Sequence, residues 1–270
     1  MKLPFDVGIA AGYKSTPQKI RVMTEDWLAT QAYCPSCGHG GMSQYANNRP
    51  VADFFCPECR EEYELKGHGQ RLGSRIVDGS YRTMLERLQS STNPNLFLLG
   101  YDVERLTVRS MLVIPKHFFT VDIIEARKPL GPAARRAGWI GCNIRLDGIP
   151  VAGRIALIRD GHVEPASRVT AQWRKSLFLR EQVDLSARKW LLSVMKCIDR
   201  VQRKTFTLAD IYRFEEELAK EYPGNRHVRP KIRQQLQFLR DRGYLLFRGG
   251  GIYELTDNSG RDGPLDGGAF

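Results

Sequence analysis

The stretch RPVADFFCPECREEYELKG, residues 49–67, contains two chemical patterns laid over each other. Cys56 and Cys59 form a CxxC pair, which is half of a common metal-binding pattern. Acidic and basic residues flank the pair on both sides. The short runs PVADFF and EEYELK lie before and after the cysteines, and their apolar and aromatic content predicts the two strands of a β-hairpin.

A second CxxC pair, Cys34 and Cys37, precedes the first with 18 residues between the two pairs. This spacing is typical of a structural zinc site in which four thiolates complete a tetrahedron. The alternatives are a redox dithiol or two unrelated reduced pairs. Because a closed site of four thiolates has no open position for water, we predict a scaffold role for Cys34, Cys37, Cys56 and Cys59.

The flanking residues Asp53, Glu64 and Lys66 carry the candidate chemistry. Side chains alternate faces along a strand, so Glu64 and Lys66 lie on one face of their strand. Asp53 on the partner strand can meet Glu64, and two carboxylates suit Mg²⁺. A bound metal activates water, and the Lys66 ammonium stabilises the negative charge that develops. Taken alone, an E-x-K pattern is also typical of an exposed salt bridge on a hairpin.

Composition points to a polyanionic partner. The chain has 270 residues, with 41 Lys and Arg against 30 Asp and Glu, which gives a net charge of +11. A basic excess of this size favours nucleic acid as the partner.

The cellular setting follows from what the sequence lacks. No apolar run reaches the roughly 18 residues that a membrane span needs, and Asp6 interrupts the N-terminal segment where a secretory signal would lie. We therefore expect a cytoplasmic protein with no membrane contact, whose cysteines are thiols or metal ligands. Cys142 and Cys197 have no CxxC partner and are expected to be buried as small apolar residues.

Residues 1–182 are predicted to form an α/β domain around a mixed sheet. Residues 16–31 place Ile20, Met23, Trp27 and Leu28 on one face of a helix. Short apolar runs typical of buried strands follow a second helical segment. In order, these segments are YRTMLERLQS (81–90), LFLLGY (96–101), SMLVIP (110–115) and RIALIRDG (154–161).

Residues 183–256 follow a different pattern. Three helical segments come in succession, with a capping-box-like start at Thr207 and Asp210 of the second, and a two-strand hairpin about three glycines follows. This is the order of a winged helix-turn-helix. Residues 257–270 are rich in glycine and aspartate without periodicity and are expected to be disordered.

Longer blocks of the sequence carry a family resemblance. The blocks TEDWLATQAYCPSCG (24–38), RPVADFFCPECREEYELK (49–66), ARKPLGPAARRAGWIGCNI (126–144) and KIRQQLQFLRDRGYLLFRGGGIYEL (231–255) occur in this order. Together they resemble the DpnI-type methyl-directed restriction endonucleases, from about residue 12 to residue 255.

The resemblance implies a PD-(D/E)xK nuclease domain with an embedded four-cysteine zinc site and a C-terminal winged helix. It implies Mg²⁺-dependent cleavage of double-stranded DNA at GATC sites that contain N6-methyladenine. The sequence itself gives no sign of an obligate protein partner. Asp53, Glu64 and Lys66 match the catalytic positions, the two acids being the Mg²⁺ ligands, and the four cysteines match the zinc ligands. Ala52 stands where the superfamily pattern has proline.

The third helical segment of the C-terminal part is the candidate reading element. Val228, Ile232, Leu236 and Leu239 form its apolar stripe, whereas its arginines and glutamines suit guanine and adenine edges in the major groove. The alternative is a solvated charged face that contacts no base. The candidate DNA-binding residues here are Arg229, Lys231, Arg233, Gln234, Gln237 and, in the wing, Arg248.

A second basic segment lies at residues 126–143. Arg135 and Arg136 suit DNA binding, and Trp139 has an apolar face that suits the methyl group of a modified adenine. Packing of Trp139 in the core is the simpler alternative.

Two other functions fit parts of the sequence. A non-enzymatic DNA-binding regulator, built from a zinc ribbon and a winged helix, explains the charge, the cysteines and the C-terminal helices, but not the placement of Asp53, Glu64 and Lys66 around the cysteine turn. The other alternative keeps the nuclease chemistry but has specificity for another sequence or modification.

Overall fold

In the described residues of the first two thirds of the chain, two sheets and three α-helices form the framework. The structure is a computed structural model that describes residues 1–46, 52–69, 72–90, 92–182 and 184–256; the expected disorder of residues 257–270 lies outside these ranges. In chain order, the strands are β1 (Ser43–Gln44), β2 (Phe54–Phe55), β3 (Glu62–His68), β4 (Arg75–Ser80), β5 (Asn95–Asp102), β6 (Thr107–Ile114), β7 (Ile124–Ala126), β8 (Gly141–Arg145), β9 (Ile155–Arg159) and β10 (His162–Val163). The helices are α1 (Thr16–Gln31), α2 (Tyr81–Gln89) and α3 (Ala166–Lys175).

The larger sheet is mixed, as the sequence predicts. Its strand order is β1-β2-β3-β5-β6-β9-β10. Strands β3 and β5 run parallel, and the other neighbours are antiparallel. Parallel neighbours need a long crossover, and here β4 and α2 form it. Strand β4 joins a second sheet, in the order β4-β8-β7, so the crossover brings this second sheet next to β3.

Successive side chains of β5 alternate between the two faces of the large sheet, and each face packs in its own buried cluster. Phe97 and Leu99 pack in a buried cluster with Trp27 of α1. Leu96 and Leu98 pack in a second cluster with residues of α2 and of the C-terminal helices. Each fully buried side chain of this size contributes about 1.5–3 kcal/mol of transfer free energy. The apolar runs that predict β5, β6 and β9 are thus strands buried on both faces.

The C-terminal part has the element order of a winged helix. Its elements are α4 (Leu185–Val201), β11 (Thr205–Thr207), α5 (Leu208–Tyr212), α6 (Glu215–Glu221), α7 (Val228–Asp241), β12 (Leu245–Gly249) and β13 (Ile252–Leu255). The last strands form a hairpin, and β11 completes a sheet in the order β11-β13-β12. The predicted fold class is confirmed: a mixed α/β part that carries the cysteine cluster is followed by helices and a hairpin in the order of a winged helix.

Two details of this part differ from the sequence prediction. The predicted second helix is two helices, α5 and α6, because the chain turns at Arg213 and Phe214 between them. Strand β11 was not predicted, since its three residues depend on pairing with β13, where Phe206 lies opposite Tyr253. The capping box at Thr207 is present: its hydroxyl accepts the Asp210 amide, and the Asp210 carboxylate accepts the Thr207 amide.

The winged helix packs directly on the rest of the protein. The Phe178 ring lies 6.1 Å from that of Phe238 and 6.2 Å from that of Tyr244, measured between centroids. An ion pair joins Arg242 to Glu181 at 2.5 Å. Because one continuous apolar cluster holds residues of both parts, the two parts share a core, and the boundary at residues 182 and 183 stays a prediction. In the described ranges, none of the helices has the length and apolar character to cross a membrane.

Candidate functional site

The four cysteines converge at one point. Their Sγ atoms all lie within 4.8 Å of one another, with 3.5 Å between Cys34 and Cys59 and 3.6 Å between Cys37 and Cys56. Zinc–sulfur bonds of about 2.3 Å place the sulfurs of a tetrahedral site about 3.8 Å apart. The four cysteines are not paired in disulfides. The residues therefore fit a four-thiolate zinc ion.

The two CxxC turns have matching backbone geometry. In each, the residue after the second cysteine has a positive φ, 83° at Gly38 and 62° at Arg60. Its N–H donates to the carbonyl of the first cysteine, at 2.8 Å from Gly38 to Cys34 and 3.0 Å from Arg60 to Cys56. Each turn thus presents two sulfurs from the same conformation, which is the arrangement that a shared metal requires.

Tyr63 connects the cysteine cluster to strand β3. Its hydroxyl lies 3.2 Å from Cys34 Sγ, and its buried ring stacks on Phe97 with 4.5 Å between centroids. Tyr63 directly precedes Glu64, so the cluster holds β3 at the position where the candidate chemistry begins.

Glu61 ties the second cysteine turn to the sheet and to the segment before the winged helix. Its carboxylate accepts hydrogen bonds from Asn95 Nδ2 at 2.9 Å and from Arg180 at 2.7 Å. Burial would raise the pKa of Glu61, but these bonds and the Arg180 charge outweigh it and lower the pKa. The carboxylate is therefore charged and fixed at neutral pH.

The hairpin places Asp53 beside Glu64. Strands β2 and β3 are antiparallel with Phe54 opposite Tyr63, so the next position in the same register puts Asp53 opposite Glu64. Two further bonds continue this pairing: Asp53 N–H donates to the Tyr63 carbonyl at 3.0 Å, and Asp53 Oδ2 accepts the Leu65 amide at 2.8 Å. The two predicted metal-binding acids are thus neighbours across the hairpin.

Lys66 lies between two carboxylates. Its Nζ is 2.7 Å from Glu64 Oε1 and 2.6 Å from Asp78 Oδ1. Burial would lower the pKa of Lys66, but the two negative charges outweigh it and raise the pKa. Burial raises the pKa of Glu64, helped by the charges of Asp78 and Asp53, while Lys66 acts in the opposite direction. Lys66 is therefore an ammonium fixed in place by its two acidic neighbours.

Asp78 and Arg87 are the site residues that sequence reasoning missed. Asp78 lies on β4, and Arg87 on α2 reaches to 3.9 Å from Glu64 Oε2. Neither belongs to the hairpin, and an acid in a short strand or an arginine in a helix is too common to single out. Only the crossover through the second sheet brings both residues to β3.

The acids suit a cation that keeps most of its water. Mg²⁺ is typically bound by one or two carboxylates with several waters, and Asp53 and Glu64 supply two from adjacent strands. In the part of the chain that the structure describes, only the four cysteines form a group of three or more potential ligands this close together. The oxygen-donor set thus fits a hydrated divalent ion, whereas the sulfur set fits zinc.

Helix α7 separates its two faces as predicted. Val228, Ile232, Leu236 and Leu239 are buried. The exposed residues among the DNA-reading candidates are Arg229, Arg233, Gln234 and Gln237, and Lys231 is half-buried.

Several of these candidates have partners within the protein. Arg229 donates to Glu215 at 2.7 Å, and Lys231 donates to Gln234 Oε1 at 2.8 Å. Arg233 donates to the Tyr212 hydroxyl.

Arg248 in the wing is likewise paired, because its guanidinium is 2.8 Å from Glu254. The alternative of a solvated charged face therefore stays open for individual residues.

The basic loop before β8 lies against the second sheet. Trp139 in this loop is half-buried, and the Arg136 guanidinium lies 4.8 Å from its ring centroid. A Cβ on Gly141 would lie 2.9 Å from the Trp139 ring, so only glycine allows this close packing. Arg135 is exposed. The next residue of β8, Cys142, lies opposite Asp78, so the loop ends close to the candidate active site.

Two family models match the chain. The model described as DpnI, Dam-replacing family, matches residues 1–182. The model described as DpnI_C, Dam-replacing HTH domain, matches residues 186–255. Between them the two models cover nearly the whole sequence.

The sulfur geometry predicts one zinc ion per chain, measured by elemental analysis of purified protein. Cys56→Ser removes one thiolate and is expected to lower both the zinc content and the melting temperature, because structural zinc binding contributes directly to folding. The matched control is Cys197→Ser, a buried cysteine outside the cluster, which should keep its zinc. Folded protein without zinc would contradict the assignment.

Proposed function

This chain belongs to the DpnI-type, Dam-replacing family of restriction endonucleases, and from that premise we propose its activity. We propose a type II methyl-directed endonuclease that cleaves double-stranded DNA at GATC sites containing N6-methyladenine by Mg²⁺-dependent hydrolysis. One observation carries the proposal: Asp53, Glu64 and Lys66 lie together on a hairpin whose turn is closed by the cysteine cluster.

In the proposed reaction, Asp53 and Glu64 hold the cation from adjacent strands. A Mg²⁺ ion held by these two residues would supply an acidified water and positive charge beside the scissile phosphate. The Lys66 ammonium donates hydrogen bonds to the attacking oxygen or to the phosphate oxygen that gains charge. The bond from the Leu65 amide keeps one oxygen of Asp53 in place, so the other oxygen is available to the cation.

The cysteine cluster has a structural role in this proposal. A zinc ion bound by four thiolates has no open coordination position, so it cannot activate water. Its contribution is to close the turn between Asp53 and Glu64 and to hold β3 through Tyr63.

Helix α7 is the proposed base-reading element of the winged helix. Its exposed Arg233, Gln234 and Gln237 suit guanine O6 and N7 and adenine N6 and N7 in the major groove. Arg229, Lys231 and Arg248 are proposed to contact phosphates, which contributes affinity rather than sequence information. The net charge of +11 supports strong, salt-dependent attraction to DNA.

The loop that carries Trp139 is a proposed second reader beside the cleavage site. An aromatic ring offers apolar surface to a methyl group, and the stacked Arg136 fixes the ring. Exposed Arg135 has the charge to contact a phosphate. The closeness of this loop to β4 and Asp78 supports its contact with DNA near the scissile bond.

Substitution of the hairpin acids and lysine tests the catalytic assignment. Asp53→Ala, Glu64→Ala and Lys66→Ala should each abolish Mg²⁺-dependent cleavage of methylated plasmid, while DNA binding in a gel-shift assay stays nearly intact. The matched control is Glu58→Ala, since Glu58 is an exposed acid in the same cysteine turn, and it should cleave normally. Cleavage by Asp53→Ala would show that the assignment is wrong.

Digestion of matched plasmids with and without adenine methylation tests the specificity. The protein is expected to cut only the methylated plasmid, and Trp139→Ala should lessen this preference, because the ring no longer offers apolar surface to the methyl group. Equal cutting of both plasmids would leave the nuclease chemistry intact and contradict the methyl specificity. DNA binding without any cutting would favour the non-enzymatic regulator.

A further inference from the structure

Asp78 is a buried acid that contacts the candidate active site from outside the hairpin. Its side chain is only 5% exposed, and its Oδ1 accepts hydrogen bonds from Lys66 Nζ at 2.6 Å and from the Gly79 amide at 2.7 Å. A buried carboxylate is stable only when it is paired. Lys66 is the cationic partner that the structure gives it.

The backbone around Asp78 turns its side chain toward β3. Strand β4 pairs with β8, with Asp78 opposite Cys142, and the register shifts between Asp78 and Ser80. Such irregularities re-aim a side chain, and they are frequent beside active sites. The Gly79 amide then fixes the carboxylate, so Asp78 is held by the second sheet independently of the hairpin that carries Lys66.

Lys66 is shared between Asp78 and an acid that the proposed reaction needs for another purpose. Its second partner is Glu64, at 2.7 Å. In the proposed reaction Glu64 binds the cation, and two cations compete for the same carboxylate. If Glu64 were the only partner of Lys66, cation binding would release the lysine side chain, which has many rotamers.

We propose that Asp78 is a positioning residue for Lys66: it keeps the ammonium beside the cleavage site when the cation occupies Glu64, and it lowers the competition of Lys66 for that carboxylate. This inference rests on the proposed function. Asp78 itself touches neither DNA nor cation in this scheme and acts only through Lys66.

Asp78→Asn is the test variant. Asparagine keeps the side-chain oxygen that accepts the Gly79 amide, but it removes the charge that holds Lys66. The single-turnover cleavage rate at saturating Mg²⁺ should fall by up to about 100-fold, the effect of misplacing a catalytic group by roughly 1 Å, and the Mg²⁺ concentration for half-maximal rate should rise. Zinc content and cation-free DNA binding should stay unchanged.

The matched control is Asp147→Asn, which removes a partly exposed acid paired with Arg145 at the end of the same small sheet. It should cleave at the parental rate. The proposal would be overturned if Asp78→Asn cleaved at the parental rate at saturating Mg²⁺. It would also be overturned if this variant lost zinc or DNA binding to the same extent as it lost cleavage rate.

A double-substitution cycle with Lys66→Met separates positioning from a merely structural role. If Asp78 acts through Lys66, Asp78→Asn should weaken Mg²⁺ binding, measured by calorimetric titration, in the unsubstituted protein but should not weaken it further in Lys66→Met. In thermal unfolding without added Mg²⁺, the melting temperature of the double variant should be no lower than that of Lys66→Met. In Lys66→Met the Asp78 carboxylate is buried without its partner, and asparagine removes that charge. Additive losses in either measurement would overturn the proposal.

Cleavage by the unsubstituted protein distinguishes failure of the positioning role from failure of the proposed function. If it fails to cleave methylated DNA with Mg²⁺, the proposed function is wrong, whereas the thermal cycle still reports on the contact between Asp78 and Lys66. If it cleaves normally and Asp78→Asn matches it, only the positioning role is wrong.

Discussion

Four cysteine sulfurs converge on one point, and this convergence fixes the geometry of the candidate site. Zinc binding by four cysteines contributes about 10–16 kcal/mol in isolated peptides, which is comparable to the whole stability of a typical domain of about 5–15 kcal/mol. The hairpin here has a first strand of only two residues, Phe54–Phe55, and short hairpins are marginal by themselves. A metal ion bound by the four cysteines would close this turn and so favour the register that puts Asp53 opposite Glu64.

The second sheet and its crossover add further residues to the candidate site beside the hairpin. Strand β4 supplies Asp78 and α2 supplies Arg87, so the candidate site lies between two sheets. The crossover from β3 to β5 makes this possible, because parallel strands cannot be joined by a tight turn. The winged helix shares its core with this assembly, which keeps the proposed reading helix α7 in a defined relation to the nuclease part.

Local patterns allowed much of this to be predicted. The CxxC spacing, the hairpin around it and the apolar stripe of α7 depend on residues near one another in the sequence, and each occurs in the structure as expected. The contact of Asp78 with Lys66, the pairing of β11 with β13 and the break at Arg213 depend on partners far along the chain or on packing. Sequence periodicity does not indicate such long-range contacts. The sequence therefore predicts Glu64 and Lys66 as site residues but not Asp78.

We infer that a metal ion bound by the four cysteines holds the hairpin of Asp53 and Glu64 in register. Amide hydrogen exchange tests it most directly, because the Asp53 and Leu65 amides both donate across the hairpin. After removal of zinc by a chelator, these two amides should lose protection, while those of the distant β12–β13 hairpin, such as Tyr253, keep theirs. Unchanged protection at Asp53 and Leu65 in zinc-free protein would show that the metal does not hold the hairpin in register.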